Sequence, residues 1–403
     1  MNDSSFLTRV VLRNYKSIAL CDVQLGPLTY LVGPNGSGKS NFLDALHLVR
    51  DSLTGSLDNA LSERGGLSEV RRRSSGHPNH FGIRLEFRLL DGKTGHYAFN
   101  VGALEGGGYE YEVQTEECMI LGKGKGPFFQ LERGKLKDCS ESSFPVVTAD
   151  RLGLLSASGL SAFRPIFDRL TAMGFYNLAP KLIREPQKPQ DGRLLKSAGE
   201  NIASVIRHLE RTTPQYLKVI EEYLQSVVPQ VQGVEHKSIG SMETLEFRQA
   251  VAGAIHPWRF SPLNMSDGTL RALGVLTALF QGNQDYSPSV IGIEEPETAL
   301  HPAASSALRE ALQRASEHTQ VIVTSHSPDL LDDTDISADS LLAVVAASGE
   351  TRIAPIDEAS RLVLKDNLFT PGELLRLNQL EPDPSILAAQ DKRQADLFGE
   401  AVQ

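Results

Sequence analysis

The stretch from Leu28 to Ser40, LTYLVGPNGSGKS, constrains the fold of this chain more than any other stretch. Its first part is an apolar run typical of a buried strand, and its second part fits G-x-x-x-x-G-K-S/T without a mismatch. The glycines let successive backbone N–H groups point into one concavity that suits a nucleotide phosphate, and the following helix adds its N-terminal dipole. The pattern therefore predicts a strand, a phosphate-binding loop and a helix in succession.

Within this loop the side chains have separate predicted roles. We expect Lys39 to neutralise the β- and γ-phosphates and the Ser40 hydroxyl to ligate Mg²⁺. A Gly/Ser-rich turn that matches the pattern by chance is disfavoured by the strand before it and the helical spacing after it. The candidate nucleotide-binding residues are Gly33, Pro34, Asn35, Gly36, Ser37, Gly38, Lys39, Ser40 and Asn41.

Composition narrows the class of protein. The chain has 403 residues, of which 40% are hydrophobic and 22% charged, enough for two ordinary domains or one large one. No apolar run is long enough to span a membrane, and the start of the chain lacks a signal-peptide layout, so we expect a cytoplasmic protein without a membrane partner. Three widely spaced cysteines suggest neither a disulfide framework nor a zinc site. A net charge of −10 argues against an extensive nucleic-acid surface but leaves a local basic groove, and hence DNA, possible.

Changes of pattern divide the chain into four predicted segments. Residues 1–150 form a first lobe that holds the phosphate loop and an antiparallel β-meander, and residues 151–230 form an inserted helical subdomain. Residues 231–370 form a second lobe, and residues 371–403 a tail. In the meander, FGIRLEFRLL alternates strictly, which predicts a half-buried strand whose charged face meets solvent.

Two basic stretches allow alternative interpretations. The turn from Arg13 to Ser17 places Arg13 or Lys16 near a bound nucleotide, or it is a solvated turn, with similar support for each. The cluster Arg71-Arg72-Arg73 is the best local candidate for a contact with a phosphate backbone. Three arginines are a short run, so a solvated charged loop is favoured there.

A second set of polar residues lies later in the chain. Ser266-Asp267-Gly268 opens an apolar helix, where it either caps the helix or presents N–H groups to an anion. A short apolar strand ends in Glu294-Glu295, which provides one carboxylate for a metal and one to polarise an attacking water. His326 ends the next strand, and since parallel strand ends converge on a ligand crevice, we expect it to face the γ-phosphate.

Four elements in this order, GPNGSGKS, SDGT, IEEPE with LHP, and TSHSP, resemble the ABC-type ATPase heads of the SMC/RecF/OLD group. The resemblance implies that Gly33 to Ser40 are Walker A and that Glu294 and Glu295 are the Walker B acid and the catalytic glutamate. It implies further roles for a signature loop at Ser266, Asp267 and Gly268, a D-loop at Ala299 to Pro302 and a switch histidine at His326. The chain departs from the group in having Glu294 instead of Asp and Met265-Ser266 instead of Leu-Ser, and no glutamine loop is identified.

The resemblance sets the expected fold and chemistry. It implies an α/β ABC-type P-loop head with a mixed sheet, an antiparallel β-meander and an inserted helical subdomain. ATP and Mg²⁺ are the implied cofactors, with Glu295, His326 and Lys39 catalytic and Ser40 and Glu294 at the metal. No long heptad run lies between Ser40 and Ser266, unlike in SMC and break-repair ATPases. The stretch 175–209, FYNLAPKLIREPQKPQDGRLLKSAGENIASVIRHL, is similar to a segment in compact RecF-like and anti-phage ATPases, and this resemblance implies an ATPase of that type. The chain after His326 is too short for the TOPRIM nuclease domain of OLD proteins.

Two functions compete at this point. The first is an ATP-hydrolysing switch whose heads pair as a homodimer or higher oligomer around two nucleotides and signal to a separately encoded effector, such as a TOPRIM-type nuclease. The second is a RecF-like DNA clamp or scaffold that binds ATP but hydrolyses it slowly. In the first case, the helical insertion or the leucine-containing tail is expected to dock the effector, because an ATPase head needs them least. The tail leucines are Leu374, Leu375, Leu377, Leu380 and Leu397.

Overall fold

A computed structural model describes residues 5–74, 78–104, 110–121, 126–282, 286–392 and 397–398. The strands are β1 (Leu7–Tyr15), β2 (Ile18–Gln24), β3 (Leu28–Val32), β4 (His80–Arg88), β5 (Thr94–Ala103), β6 (Tyr111–Leu121), β7 (Phe128–Glu132), β8 (Lys135–Cys139), β9 (Gly174–Tyr176), β10 (Val231–Ile239), β11 (Met242–Gln249), β12 (Trp258–Phe260), β13 (Val290–Glu294), β14 (Gln320–Ser325), β15 (Leu341–Ala347) and β16 (Glu350–Pro355). The α-helices are α1 (Lys39–Thr54), α2 (Leu57–Ser62), α3 (Leu67–Val70), α4 (Gly153–Ala157), α5 (Arg164–Thr171), α6 (Pro180–Arg184), α7 (Ile202–Thr212), α8 (Pro214–Val227), α9 (Asp267–Phe280), α10 (Ser305–Ser316), α11 (Glu358–Lys365), α12 (Pro371–Arg376) and α13 (Pro384–Lys392).

These elements group into two compact units. The P-loop unit comprises Ser5–Met173, Ser337–Phe369 and Leu377–Gln403, and the signature unit comprises Gly174–Ile336 and Thr370–Arg376. The border at Met173 falls inside the segment predicted as a helical insertion, so α4 and α5 belong to the first unit and α6 to α8 to the second. The division into four segments stays a prediction.

The P-loop unit is built on a mixed sheet. Its strands follow the order β8-β7-β6-β5-β4-β1-β2-β16-β15-β3, antiparallel from β8 to β2 and parallel between β15 and β3. Every residue of β3 is buried, which explains why its sequence has no charged residue and does not alternate between apolar and charged positions. The antiparallel strands from β4 to β8 confirm the predicted meander.

Strand β4 differs from its prediction on one face. Arg84 is 2% exposed and Glu86 9%, so the charged face is covered rather than solvated. Arg84 Nε donates to Glu86 at 3.0 Å, Arg9 donates to Glu86 at 2.8 Å, and Arg84 Nη1 donates to the carbonyl of Leu397 at 2.9 Å. The expectation of a half-buried strand is wrong because a distant part of the chain lies over this face and an ion-pair network satisfies its charges.

Two groups of three paired strands lie in the described part of the signature unit. Strands β14, β13 and β9 are parallel in that order, and β10, β11 and β12 form an antiparallel sheet of their own. Helix α9 is buried along most of its length and packs against α6, α7, α8 and α10. Among the described residues, no helix is both long and apolar enough to cross a bilayer.

The tail is part of the fold rather than an appendage. Leu374 in the signature unit is 2% exposed, and Leu380 and Leu397 in the P-loop unit are 6% and 4% exposed. In the P-loop unit, Gln390 of α13 donates to the carbonyls of Asp22 at 3.0 Å and Ile353 at 3.2 Å. The expectation that an ATPase head could spare this tail is therefore wrong for the buried leucines, since removing them would expose core.

Candidate nucleotide site

The phosphate loop has the backbone that its sequence predicts. Helix α1 begins at Lys39, directly after Gly38, whose φ is 99°. A Cβ on Gly38 would lie 2.0 Å from Oγ1 of Thr351, so both the left-handed backbone and the close approach require glycine. Lys39 Nζ donates to the carbonyls of Gly33 at 2.9 Å and Pro34 at 3.0 Å.

The loop is held in place by residues that its motif does not include. Thr351 of β16 donates through Oγ1 to the carbonyl of Ser37 at 2.8 Å and contacts Ser17 Oγ at 2.7 Å. Asn41, a predicted nucleotide-binding residue, uses its amide to donate to Ser17 Oγ at 2.7 Å. The role of Thr351 carried no sequence signal, because it comes from a strand more than three hundred residues later.

The N-terminal basic turn packs on helix α1. Lys16 Nζ lies 2.5 Å from Oδ2 of Asp44, and Arg64 Nε donates to the same carboxylate at 2.8 Å. Burial opposes ionisation of Asp44, but Arg64 and Lys16 outweigh it and lower the pKa of the carboxyl group. The structure therefore places Lys16 in an ion pair on the helix that follows the loop. A position of Arg13 or Lys16 near a bound nucleotide stays a prediction.

The arginine cluster is largely neutralised within the P-loop unit. Arg72 pairs with Glu350, Arg73 pairs with Glu69, and Arg71 donates to the carbonyl of Pro78 at 3.4 Å. These partners favour the interpretation of this stretch as a charged loop over a ready phosphate-backbone contact.

Polar groups in the loop fit a bound nucleotide phosphate. The buried hydroxyl of Ser37 has no hydrogen-bond partner among the described residues, and Lys39 is folded back onto loop carbonyls that bind a cation only weakly compared with phosphate. Within the described ranges, no three His, Cys, Asp or Glu side chains cluster to hold a metal. Ser40 and Glu294 stay the predicted magnesium ligands.

The signature segment is a capped helix start. Ser266 Oγ accepts a hydrogen bond from the Thr269 N–H at 3.1 Å, which confirms the capping interpretation of Ser266-Asp267-Gly268. Asp267 accepts from Arg184 at 2.6 Å. A Cβ on Gly268 would lie 2.3 Å from the carbonyl oxygen of Ala299, so the predicted D-loop packs directly on the helix start. A cavity of about 410 Å³ opens here, lined by Gln230, Ser266, Gly268, Ala299 and His301 among others.

The acidic strand end and the histidine come together as predicted. Strands β13 and β14 are parallel with Glu294 opposite Thr324, so both strands end at the same edge. Nδ1 of His326 lies 3.0 Å from Oε1 of Glu295, although the two are not aligned as a hydrogen bond. Glu295 has a φ of 44°, which is the left-handed region, and its N–H donates to the carbonyl of Thr324 at 3.0 Å. We name this set of residues from Glu294 to Ala299 the acidic corner.

The sequence analysis did not predict two residues at this site. One is Glu297 in the acidic corner, and the other is Arg271, which contacts the corner from α9. Glu297 is 9% exposed, accepts a hydrogen bond from Ser325 Oγ at 2.6 Å, and has a pKa raised by burial. Ser325 Oγ in turn accepts from the N–H of Ser327, so Glu297 braces the turn that carries His326. Arg271 of α9 donates to the carbonyls of Glu294 and Glu295. The position of Glu297 in IEEPE was its only signal, and Arg271 had none.

Four features together define the class of protein. They are the phosphate loop, the acidic strand end, the neighbouring histidine and the capped signature-type helix. It is an ABC-type P-loop ATPase head of the RecF/SMC-like kind, with an α/β fold.

Solved structures agree on the fold. An SmcHead bound to the C-winged helix domain of ScpA has a TM-score of 0.56 and 14% identity, covering 89% of this chain and 99% of that one. An Smc head domain from Pyrococcus furiosus, with an extended coiled coil and bound to the C-terminal domain of ScpA, has a TM-score of 0.50 and 12% identity, covering 90% and 99%.

Sequence comparison identifies the family. A model described as "AAA domain, putative AbiEii toxin, Type IV TA system" matches residues 28–117 and 166–332, more than half of the chain. The chain belongs to this family.

Curated relatives match over a much shorter stretch. The DNA replication and repair protein RecF of Aliivibrio fischeri (strain MJ11) is 39% identical over 56 residues, 12% of this chain and 16% of that protein. RecF of Vibrio vulnificus (strain YJ016) is 41% identical over 44 residues, 11% of this chain and 12% of that protein. The chain thus spans less than a fifth of the length of these relatives.

Proposed function

We propose that this protein binds and hydrolyses ATP with Mg²⁺ and acts as a nucleotide-dependent switch for a separately encoded effector. The observation that carries the proposal is the 3.0 Å approach of His326 Nδ1 to Glu295 Oε1 at the end of β13 and β14. A protein that only binds ATP has no need of a carboxylate paired with a histidine beside its acidic strand end. Glu295 takes the role of the base that polarises water, and His326 orients it and senses the γ-phosphate.

The phosphate loop supplies binding and charge neutralisation in this proposal. Lys39 leaves the carbonyls of Gly33 and Pro34 and moves onto the β- and γ-phosphates, a stronger charge-assisted partner. Ser40 and Glu294 are the residues that would hold Mg²⁺, which would supply positive charge to offset that of the phosphates.

The switch requires a second copy of the chain. Ser266 and Gly268 line the open cavity at the start of α9, and in our proposal this cavity closes on the nucleotide that the partner copy holds. Head-to-head closure on ATP and release after hydrolysis give two states that an effector can distinguish. Phage defence or DNA maintenance is the proposed setting, which the family description as a toxin of a toxin–antitoxin system and the RecF match support.

A RecF-like DNA clamp with slow hydrolysis is the second candidate, favoured by the short RecF match. Against it stand the ion pairs that occupy Arg72 and Arg73, which leave this cluster little charge for a phosphate backbone. The two candidates differ in turnover and in its dependence on DNA.

Phosphate release by the purified protein, with and without duplex DNA, tests the proposal. We expect multiple turnovers without DNA and at least a 100-fold loss in Glu295→Gln, roughly 2.7 kcal/mol of transition-state stabilisation. Light scattering of Glu295→Gln should show association with ATP but not ADP. Glu317→Gln, an exposed carboxylate of the same unit, serves as the matched control and should behave like the parent protein. Turnover that appears only with DNA would favour the clamp, and full activity in Glu295→Gln would show that the base is assigned wrongly.

A further inference from the structure

Arg271 links three elements of the signature unit through one guanidinium group. It lies on α9, about one turn after the start of that helix at Asp267. Its Nη1 donates to the carbonyl of Leu178 at 2.8 Å, and its Nη2 donates to the carbonyls of Glu294 at 3.0 Å and Glu295 at 3.1 Å. All three acceptors are backbone oxygens, so the side chain fixes the path of the main chain rather than a carboxylate.

The carbonyls that Arg271 binds flank an unusual backbone position. Glu295 is a non-glycine residue with a φ of 44°, a conformation that persists only when the surroundings enforce it. Its N–H donates to the carbonyl of Thr324, and its C=O accepts from both Arg271 and the N–H of Thr298, so the peptide groups on both sides are fixed. The direction of the Glu295 side chain toward His326 follows from these attachments.

Arg271 is held in this place at an energetic cost. Its Nε is buried and has no hydrogen-bond partner among the described residues, and burial lowers the pKa of the guanidinium group. The charges of Glu297, Glu295 and Glu294 offset part of this cost. A neutral side chain of similar shape would avoid the cost, so packing alone does not account for an arginine here.

We propose that Arg271 is a positioning residue that couples the signature helix to the glutamate base, an inference that rests on the function proposed above. A shift of the start of α9 moves the guanidinium group and, through two carbonyls, the peptide groups around Glu295. Gly268, packed on the carbonyl of Ala299, provides a second contact between the same helix start and the acidic corner. Engagement of this helix start by the partner's nucleotide would therefore align the base for the nucleotide held by its own chain.

The test compares Arg271→Ala and Arg271→Lys with Arg309→Ala in the full-length protein. Arg309 is a suitable control, since it is a half-buried arginine of the same unit that donates to Asp333 at 2.7 Å and to the carbonyl of Leu330 at 3.2 Å. We expect Arg271→Ala to lower kcat at least about tenfold while KM and the affinity for ATP stay within about twofold, because the nucleotide contacts are unchanged. The lysine variant, which can still donate to one carbonyl, should recover part of kcat.

Two further measurements distinguish a loss of coupling from a general disturbance of the fold. Added methylguanidinium should restore turnover in Arg271→Ala and leave Arg309→Ala and Glu295→Gln unchanged. We expect the rate to depend cooperatively on ATP concentration in the parent protein but not in Arg271→Ala, since engagement at one nucleotide no longer reaches the base of the other. If the alanine variant does not fold, the lysine variant carries the same kcat and cooperativity comparison.

Some outcomes would overturn only the coupling through Arg271, and others would also overturn the proposed ATPase function. Parent kcat and cooperativity in both Arg271 variants, with Glu295→Gln inactive, would overturn the coupling and leave the proposed ATPase intact. A raised KM with unchanged kcat, or an equal loss of kcat in Arg309→Ala, would also overturn it. A parent protein that does not hydrolyse ATP, or a Glu295→Gln variant as active as the parent, would remove the proposed function and the coupling together.

Discussion

The phosphate loop and the acidic corner both depend on left-handed backbone, but they place it on different residues. In the loop it falls on glycines, Gly36 with a φ of 78° and Gly38 with a φ of 99°. In the acidic corner it falls on Glu295 with a φ of 44° and Ala299 with a φ of 64°. Glycine adopts this conformation without steric cost, whereas other residues lose about 1 to 3 kcal/mol each.

This difference separates a preformed site from one that is held under strain. The loop keeps its shape through its own residues and Thr351, so it is ready to receive a phosphate. The acidic corner has a hydrogen bond of its own, from the Thr298 N–H to the carbonyl of Glu295, but it also depends on contacts from Arg271 on α9 and Thr324 on β14. A strained corner can change its conformation when those elements move. A switch needs such a change, whereas a phosphate-binding loop does not.

The largest expected effect on nucleotide binding is at Lys39, where we expect the affinity for ATP to fall while the fold stays intact. Lys39→Ala should weaken ATP binding at least about 100-fold, or ~2.7 kcal/mol, because the phosphates lose their closest cation. The melting temperature should change little, since the hydrogen bonds from Lys39 to the carbonyls of Gly33 and Pro34 stay within the loop. Isothermal titration measures the affinity. Unchanged affinity would mean that the loop does not bind the triphosphate in the expected way.

Gly38 tests whether the loop is preformed by glycine. Gly38→Ala brings a methyl group against Thr351 and forces a left-handed alanine, so we expect a stability loss of about 2 to 4 kcal/mol and weaker ATP binding. Gly36→Ala is the matched control, because Gly36 has a similar φ but no atom within 4 Å of an added Cβ. It should cost about 1 kcal/mol in urea unfolding. Equal losses in both variants would show that the contact with Thr351 is not a constraint.

The same contrast explains which parts of the molecule the sequence predicted. The loop was predictable because its motif encodes local backbone geometry, and the pairing of Glu295 with His326 was predictable because parallel strands end at one edge. The functional roles of these residues stay predictions. Capping by Ser266 was predictable for the same local reason.

Features that depend on distant chain segments were not predictable. Alternation in β4 indicates which residues share a face, but it cannot indicate that Leu397 covers the face with Arg84. Thr351 and Arg271 act on backbone carbonyls, and any residue has such a carbonyl, so their partners leave no trace in the sequence. Glu297 was overlooked because only the folded chain shows that it is buried against Ser325.

Each unit contains a buried carboxylate that should make the stability of the protein depend on pH. These are Glu116 in the P-loop unit and Glu297 in the signature unit. Glu116 of β6 accepts hydrogen bonds from the N–H groups of Gly153 and Leu154 and from Tyr97, while burial raises its pKa to about 7. The folded state therefore keeps a proton that the unfolded state releases near pH 4.5, and stability falls as pH rises from about 4.5 to 7. The expected loss is on the order of 3 kcal/mol and is complete above about pH 7.

Unfolding by urea at several pH values measures this slope. Glu116→Gln should remove most of it and also cost about 1 to 3 kcal/mol, because one of the three donors loses its acceptor. Glu297→Gln should remove a smaller slope of the same sign, and should cost less because Oε2 of Glu297 has no partner among the described residues. A slope that survives both substitutions would come from other groups.

The smallest expected effect is also the most direct test of strain in the acidic corner. Glu295→Ala and Glu295→Gly both remove the carboxylate, but only glycine relieves the backbone at a φ of 44°. We expect the glycine variant to be more stable than the alanine variant by about 1 kcal/mol, despite the greater chain entropy that glycine adds to the unfolded state. The same pair of substitutions at Glu317, which is helical rather than left-handed, should give the opposite order. If glycine is the less stable variant at both positions, then Arg271 and Thr324 hold Glu295 without strain, and the acidic corner is as preformed as the phosphate loop.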